Sequence, residues 1–131
     1  MLYLMESNPQ FSVATTAVLE SRSVKIRTVD DLQAVLDEEH WREHIVRHHP
    51  EMKDNFDLLV ETLQNVRAVY RSKRDQETRI YFKEHASVTL ASRLIEQMAL
   101  LVYVRESNGF VVTAFFASAW PRSLGERIWP S

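Results

Sequence analysis

The sequence has no cysteine, only two glycines and four prolines, and no excess of basic residues. The absence of cysteine excludes disulfides, thiolate nucleophiles and every metal site with a cysteine ligand. The scarcity of glycine and proline excludes collagen-like and low-complexity chains. With 16 basic and 18 acidic residues the net charge is −2, so a nucleic-acid partner would have to be bound by a local basic patch.

Long apolar runs are also missing. No stretch approaches the roughly 20 apolar residues of a membrane helix, and the first residues, Met1 to Glu6, lack the basic and apolar regions of a signal peptide. We therefore expect a cytoplasmic protein without a membrane partner. The 131 residues, 45% of them hydrophobic and 26% charged, fit one globular core.

Helical spacing of apolar residues follows Asp30, which can cap a helix. The pattern continues from Leu32 to Ile45, and Pro50 then ends the helix and can occupy the first position of another. The sequence predicts helices over about 30–48 and 50–64.

The hydrophobic period changes near residue 65. Alternating residues predict strands over about 66–72 and 78–83, joined by a polar loop. Residues 84–98 fit a short helix or a strand. A further short strand is predicted over residues 24–28, where polar and apolar residues alternate.

A β-hairpin is the clearest local signal. The apolar runs 100–105 and 110–116 flank Asn108-Gly109, and this dipeptide favours a two-residue turn in which both residues have positive φ. Such a turn places Val104 opposite Thr113.

The order of these elements predicts an α+β fold, with two N-terminal helices packed on an antiparallel sheet of about four strands. We expect residues 1–29 to be an N-terminal arm or an extra element. Residues 30–120 would form the single domain, and residues 121–131 a C-terminal tail.

Four of the five histidines lie within ten residues: His40, His44, His48 and His49. The first three are four residues apart, so they share one face of a helix. A metal site is one interpretation, but the metalloprotease pattern needs Glu directly after the first histidine, where this chain has Trp41. We expect no metal and no cofactor. The histidines would form a polar helix edge or serve as acid, base or phosphate contact.

A second group consists of Arg71, Arg79, Tyr81 and Lys83. On adjacent strands these residues would give one sheet face two or more cations and a phenol. Such a face suits a phosphodiester, although it can equally be a solvated surface. Thr113 is a lone hydroxyl within an apolar strand, where threonine is also an ordinary strand residue.

The ordered set of motifs resembles the phage-associated nucleases grouped with barnase, EndoU, the tRNA-cleaving colicins and RelE. The resemblance covers about residues 40–117. It rests on these segments: Trp41-Arg42-Glu43-His44-Ile45, His48-His49-Pro50-Glu51-Met52, Glu61-Thr62-Leu63-Gln64-Asn65, Val69-Tyr70-Arg71, Arg79-Ile80-Tyr81-Phe82-Lys83 and Gly109-Phe110-Val111-Val112-Thr113-Ala114-Phe115.

The resemblance implies a toxin-like endoribonuclease that cleaves RNA without a metal, through attack of the ribose 2′-OH on phosphorus. His44 would be the acid or base, and Arg71 and Lys83 would hold the phosphate. Tyr81 would orient or stack a base, and Thr113 would contact phosphate or sugar.

Further RNA contacts would come from Arg79, His48 and His40. The partners implied are an RNA substrate and an antitoxin or immunity protein.

Two positions depart from the family pattern, because Phe82 and Phe115 replace tyrosines. The alternative function is therefore a catalytically silent RNA- or protein-binding module on the same scaffold. One cationic cleft containing His44, Arg71 and Lys83 would favour a nuclease, whereas dispersal of these groups would favour the module.

Overall fold

The structure is a computed structural model that describes residues 22–90, 93–117 and 121–130. It begins with an antiparallel hairpin of two strands, β1 (Ser23–Arg27) and β2 (Gln33–Asp37). Buried and more exposed residues alternate along both strands, as in a hairpin that buries one face. Ile26 on β1 and its partner Ala34 on β2 both lie on the buried face.

The helices follow this hairpin. They are α1 (Glu38–His40), a π-helical turn (Trp41–Ile45), α2 (Val46–His48), a 3-10 helix (Pro50–Asp54) and α3 (Phe56–Asn65). The first three are continuous, and we call them helical segment 38–48. This segment begins at Asp37, whose carboxylate accepts the His40 backbone N–H at 2.9 Å.

The second half of the chain forms an antiparallel sheet with the strand order β6-β5-β4-β3-β7. Its strands are β3 (Val69–Ser72), β4 (Thr78–Leu90), β5 (Arg93–Arg105), β6 (Val111–Ala117) and β7 (Leu124–Trp129). Strand β6 is therefore at one edge of this sheet and β7 at the other.

The two faces of the five-stranded sheet have different neighbours. The first core cluster joins buried helix residues, such as Trp41 and Leu59, to strand residues such as Val102. The second cluster contains Ile80 and Leu101 and no residue of the described helices. We call these the helix-packed face and the helix-free face.

The predicted fold class is wrong. Among the described residues a hairpin precedes the helices, the larger sheet has five strands, and strand residues outnumber helix residues by about two to one. Asp30 lies in the turn between β1 and β2 and not at a helix N-terminus. Leu32, Val35 and Leu36 have helical spacing, but this window is too short to exclude a turn followed by a strand.

The predicted helix over 50–64 is also divided. A 3-10 helix ends at Asp54, and α3 begins only at Phe56. The side chain of Asn55, between them, donates to the Glu51 carbonyl oxygen at 2.7 Å and to the Thr89 carbonyl oxygen at 3.0 Å. No local sequence pattern indicates this contact, because Thr89 on β4 is 34 residues away in the chain.

The Asn108-Gly109 segment forms a hairpin, but not the predicted turn. Gly109 has a φ of 74°, whereas Asn108 is not among the residues with positive φ. The Gly109 N–H donates to the Arg105 carbonyl oxygen at 2.8 Å, which closes a longer loop. The register therefore differs from the prediction: Tyr103, not Val104, is opposite Thr113.

Other strand predictions are confirmed. The segment 24–28 corresponds to β1, 66–72 contains β3, and 78–83 begins β4. The undecided stretch 84–98 belongs to β4 and β5, apart from residues 91–92, which lie outside the described residues. Most of the predicted arm, residues 1–21, also lies outside them, and the predicted tail contains β7.

Candidate functional site

Arg71 and Arg79 lie opposite each other on β3 and β4, as the sequence predicts. A carboxylate that the sequence does not place there, Glu106, bridges them. Arg79 Nε and Nη2 donate to Glu106 Oε2 at 3.0 and 2.7 Å, and Arg71 Nη1 donates to Glu106 Oε1 at 3.2 Å. The hydrogen bond from Arg79 is the main cause of the lowered pKa of Glu106.

Asp30 extends this network into the protein. Its side chain is only 4% exposed, and Arg79 Nη1 donates to its Oδ2 at 2.7 Å. Burial opposes the charge of Arg79, but its hydrogen bonds with Glu106 and Asp30 outweigh burial and raise its pKa. Arg79 is therefore a paired cation that fastens the β1–β2 turn to the sheet.

The phenol of Tyr81 points into the same network and not towards solvent. Tyr81 is buried, and its hydroxyl donates to Asp30 Oδ1 at 2.7 Å. Burial raises the pKa of Tyr81 far above its ordinary value of 10.0. The group is thus a neutral donor held inside the protein, and it presents no surface for stacking on a base.

Lys83 is held by α3. Its Nζ lies 3.4 Å from Glu61 Oε2 and donates to the Asn65 carbonyl oxygen at 3.2 Å. All three cations of the predicted group therefore form ion pairs within the protein: Arg71 and Arg79 with Glu106, and Lys83 with Glu61.

Three histidines form a row on one side of helical segment 38–48, and His40 at its start contacts β6. The ring centroids of His40 and His44 are 4.7 Å apart in a stacked arrangement, and those of His44 and His48 are 4.8 Å apart. His40 Nε2 lies 2.8 Å from the Val112 carbonyl oxygen. A carbonyl only accepts, so this nitrogen carries a hydrogen and caps a carbonyl of edge strand β6.

His44 is exposed and lies beside β6. Arg71 is on β3, three strand spacings or about 14 Å from β6, and Lys83 is on β4. The structure therefore does not bring these three residues into one cationic cleft. The pKa of His44 is lowered, first by loss of solvent and then by the neighbouring imidazoles, including His40 and His48.

Thr113 is on the helix-free face. A register shift in the pairing of β6 with β5 separates it from Val111, which belongs to the helix-packed core. Its partner is Tyr103, whose ring stacks on that of Phe115 with centroids 5.6 Å apart.

His49, to which the resemblance assigns no role, contacts this face. Its ring centroid is 5.2 Å from that of Phe115, and its Nδ1 is 3.9 Å from Glu51 Oε2. The signal was present, because His49 belongs to the His-Pro-Glu part of the resemblance. We call His49, Glu51, Phe115, Tyr103 and Thr113 the His49 cluster.

The helix-free face has one cation, Arg127, at its β7 side, and two further cations are close to it in the chain or across the β3–β7 pair. Arg127 is opposite Tyr70 on β3, and the Lys73 N–H donates to the Ser123 carbonyl oxygen at 2.9 Å. The Ser123 hydroxyl is in turn 2.7 Å from the Tyr103 hydroxyl, with Arg122 next to it in the chain. Lys73, Arg122 and Arg127 are exposed and form no ion pair with a described residue.

Within the described ranges, no three His, Cys, Asp or Glu side chains are grouped so that they could hold a metal ion. No described helix is long and apolar enough to cross a membrane.

Comparisons with known proteins give no match: no family model, curated protein or solved structure is significantly similar to this chain. The resemblance to the barnase and RelE group therefore rests on the motifs alone.

Proposed function

We propose that the protein is an RNA-binding module that holds single-stranded RNA on the helix-free face. The observation that carries this proposal is the stacked pair of Tyr103 and Phe115 beside the hydroxyl of Thr113. Each of the three is half-buried, so it belongs to the fold and still presents a surface. Unpaired bases stack on such aromatic rings with little dependence on sequence.

Charge complementarity supports RNA as the partner. Arg127 lies opposite Tyr70 on the β7 side of the helix-free face, and it forms no ion pair with a described residue. Cations beside a stacking surface bind the phosphodiester backbone while the rings bind the bases. Arg127 supplies a local positive charge, which an RNA-binding chain with a net charge of −2 needs.

The dispersal of the predicted catalytic groups favours binding over cleavage by His44. Arg71 and Lys83 are paired with Glu106 and Glu61, and His44 is separated from both by the strand order. Stabilising the extra charge of a phosphorane requires cations aimed at the reacting phosphate.

Metal-independent RNA cleavage is the second candidate, and the His49 cluster favours it. His49 is one-third exposed, near Glu51 and against Phe115 on the face proposed for RNA. A neutral imidazole there would take the proton of a ribose 2′-OH. The 2′-oxygen then forms a bond to phosphorus, the P–O5′ bond breaks, and the 5′-oxygen takes a proton from water.

The test is fluorescence anisotropy with a labelled 12-nucleotide single-stranded RNA at pH 7.5. We expect Tyr103→Leu to weaken binding about fivefold or more, since one base–aromatic stack contributes about 1–3 kcal/mol. Arg127→Gln should weaken binding and reduce its salt dependence, whereas Lys25→Gln, an exposed charge on β1, should do neither.

Thermal unfolding would establish that each variant is folded. Absence of RNA binding by the folded wild-type protein would contradict the proposal. If Lys25→Gln and Arg127→Gln weaken binding equally, the RNA is bound by non-specific electrostatic attraction and not by the helix-free face.

A further inference from the structure

A column of planar side chains in successive contact runs beside edge strand β6, and one pair of them, His40 and His44, is stacked. The guanidinium carbon of Arg105 is 5.6 Å from the ring centroid of Phe110, and that ring is 4.7 Å from His40. His40, His44 and His48 continue the column at 4.7 and 4.8 Å. We call these five residues the β6 column.

No described carboxylate forms an ion pair with His40, His44 or His48. Strand β6 has no titratable residue. On the helical segment, Glu43 is 3.4 Å from Arg42, and Asp37 accepts a backbone N–H. The other titratable groups on or beside this segment are Glu38, Glu39, Arg47, His49 and Glu51. The charges that act on His44 are those of His40, His48 and His49.

Hydrogen bonds fix which nitrogen of each terminal imidazole remains to be protonated. His40 Nε2 donates to the Val112 carbonyl oxygen, and His48 Nδ1 donates to the His44 carbonyl oxygen, each at 2.8 Å. Protonation therefore occurs at His40 Nδ1 and His48 Nε2 and breaks neither bond. Each proton adds a charge and a second N–H donor to a surface that is already ordered.

We propose that the β6 column is a second contact strip for the phosphodiester backbone of RNA, neutral in weak base and cationic in weak acid. This inference rests on RNA being the ligand of the helix-free face. The two surfaces meet at the end of the helical segment, because His48 belongs to the column while the next residue, His49, contacts Phe115 on the helix-free face. One strand of RNA can thus cross the β6 edge between them.

The experiment measures binding of a labelled 12-nucleotide single-stranded RNA at pH 7.5 and 5.5. The variant replaces His40, His44 and His48 with Gln, which retains a donor for the Val112 carbonyl. The matched control replaces three exposed cations outside the column, Lys25, Arg67 and Arg93, with Gln.

We expect wild-type affinity to rise about tenfold more on acidification than that of the histidine variant. The control should keep the wild-type response to pH. At pH 5.5 the slope of log affinity against log salt should be steeper in the wild type by less than about 2. Three charged imidazoles would neutralise at most three phosphates of a single strand, and the neighbouring imidazoles oppose the charge of His44 by lowering its pKa.

Equal responses to pH in the wild type and the histidine variant would overturn the inference and leave the proposed function standing. Wild-type binding at pH 5.5 alone, lost in the histidine variant, would support the column and contradict RNA binding by the helix-free face. Absence of binding at both values would overturn both. If the triple variant does not fold, His44→Gln, at an exposed position, provides the same comparison with a smaller effect.

Discussion

Arg79 and Asp30 join the β1–β2 hairpin to the five-stranded sheet through a salt bridge of 2.7 Å. The Asp30 side chain is 4% exposed and that of Arg79 is 19% exposed. The same carboxylate also accepts from the Tyr81 hydroxyl and from the Thr28 hydroxyl, at 2.7 and 2.6 Å. One buried carboxylate thus satisfies donors from two separate parts of the fold.

We expect Asp30→Asn to lower the free energy of unfolding by about 2–3 kcal/mol, because it leaves a partly buried guanidinium short of one anionic acceptor. Glu106 still pairs with Arg79 and limits the loss. Urea unfolding measures the change. The matched control is Asp31→Asn, whose wild-type side chain is 90% exposed and which should change the stability by less than about 0.5 kcal/mol. Equal effects of the two substitutions would refute a structural role for this pair.

Gly109 gives a second prediction. Its φ is 74°, and a Cβ at this position would lie 1.9 Å from the backbone oxygen of Gln33 on β2. Gly109→Ala should therefore destabilise the protein by about 2 kcal/mol or more, through strain at positive φ and a clash with backbone. Ser107→Ala, at an exposed position of the same loop, is the control in thermal unfolding. An unchanged melting temperature for Gly109→Ala would show that the loop relaxes freely.

The sequence predicts the strands better than the helices, for a physical reason. Alternation along β4 holds over many residues, and it places Arg79, Tyr81 and Lys83 on one face as expected. The helix predicted from Asp30 rests on a few apolar residues. Their spacing agrees equally with a turn followed by a strand, and the pairing of β2 with β1 decides between the two.

The candidate site is less predictable, because the residues that contact one another there come from distant parts of the chain. The pairing of Arg71 with Arg79 follows from strand adjacency, but Glu106 comes from the loop after β5. The position of Thr113 depends on a register shift that an Asn-Gly signal does not reveal. His49 reaches Phe115 because the chain turns between α2 and the 3-10 helix, and this is a tertiary effect.

His85 predicts how stability depends on pH. It is 6% exposed, and its Nε2 lies 2.9 Å from the Thr62 hydroxyl, which itself donates to the Leu58 carbonyl oxygen. Burial lowers the pKa of His85 below its ordinary value of 6.5. Below that value the unfolded chain binds more protons than the folded protein, so the contribution of His85 to stability is present at pH 7.5 and is lost as the pH falls.

The expected result is a smaller loss of stability between pH 7.5 and 5.5 in His85→Gln than in the wild type, measured by urea unfolding at both values. Thr62→Ser, which keeps the hydroxyl that accepts from His85, should retain the wild-type dependence. Parallel pH profiles for wild type and His85→Gln would show that acid sensitivity arises elsewhere.

The last prediction concerns cleavage of RNA and separates the two histidine groups. If the purified protein cleaves single-stranded RNA, His49→Ala should lower the rate roughly 10²–10⁴-fold, the effect of losing one acid–base group. His44→Ala should lower it much less, because His44 contacts His40 and His48 and is not among the residues of the helix-free face. EDTA should leave the rate unchanged, and the products should end in a 2′,3′-cyclic phosphate.

Gel electrophoresis of labelled RNA measures the rate of cleavage and the products, while anisotropy shows that each variant still binds RNA. If His44→Ala loses activity and His49→Ala does not, the catalytic histidine is His44 and not His49. Loss in EDTA with recovery in zinc would replace the mechanism by metal-dependent hydrolysis.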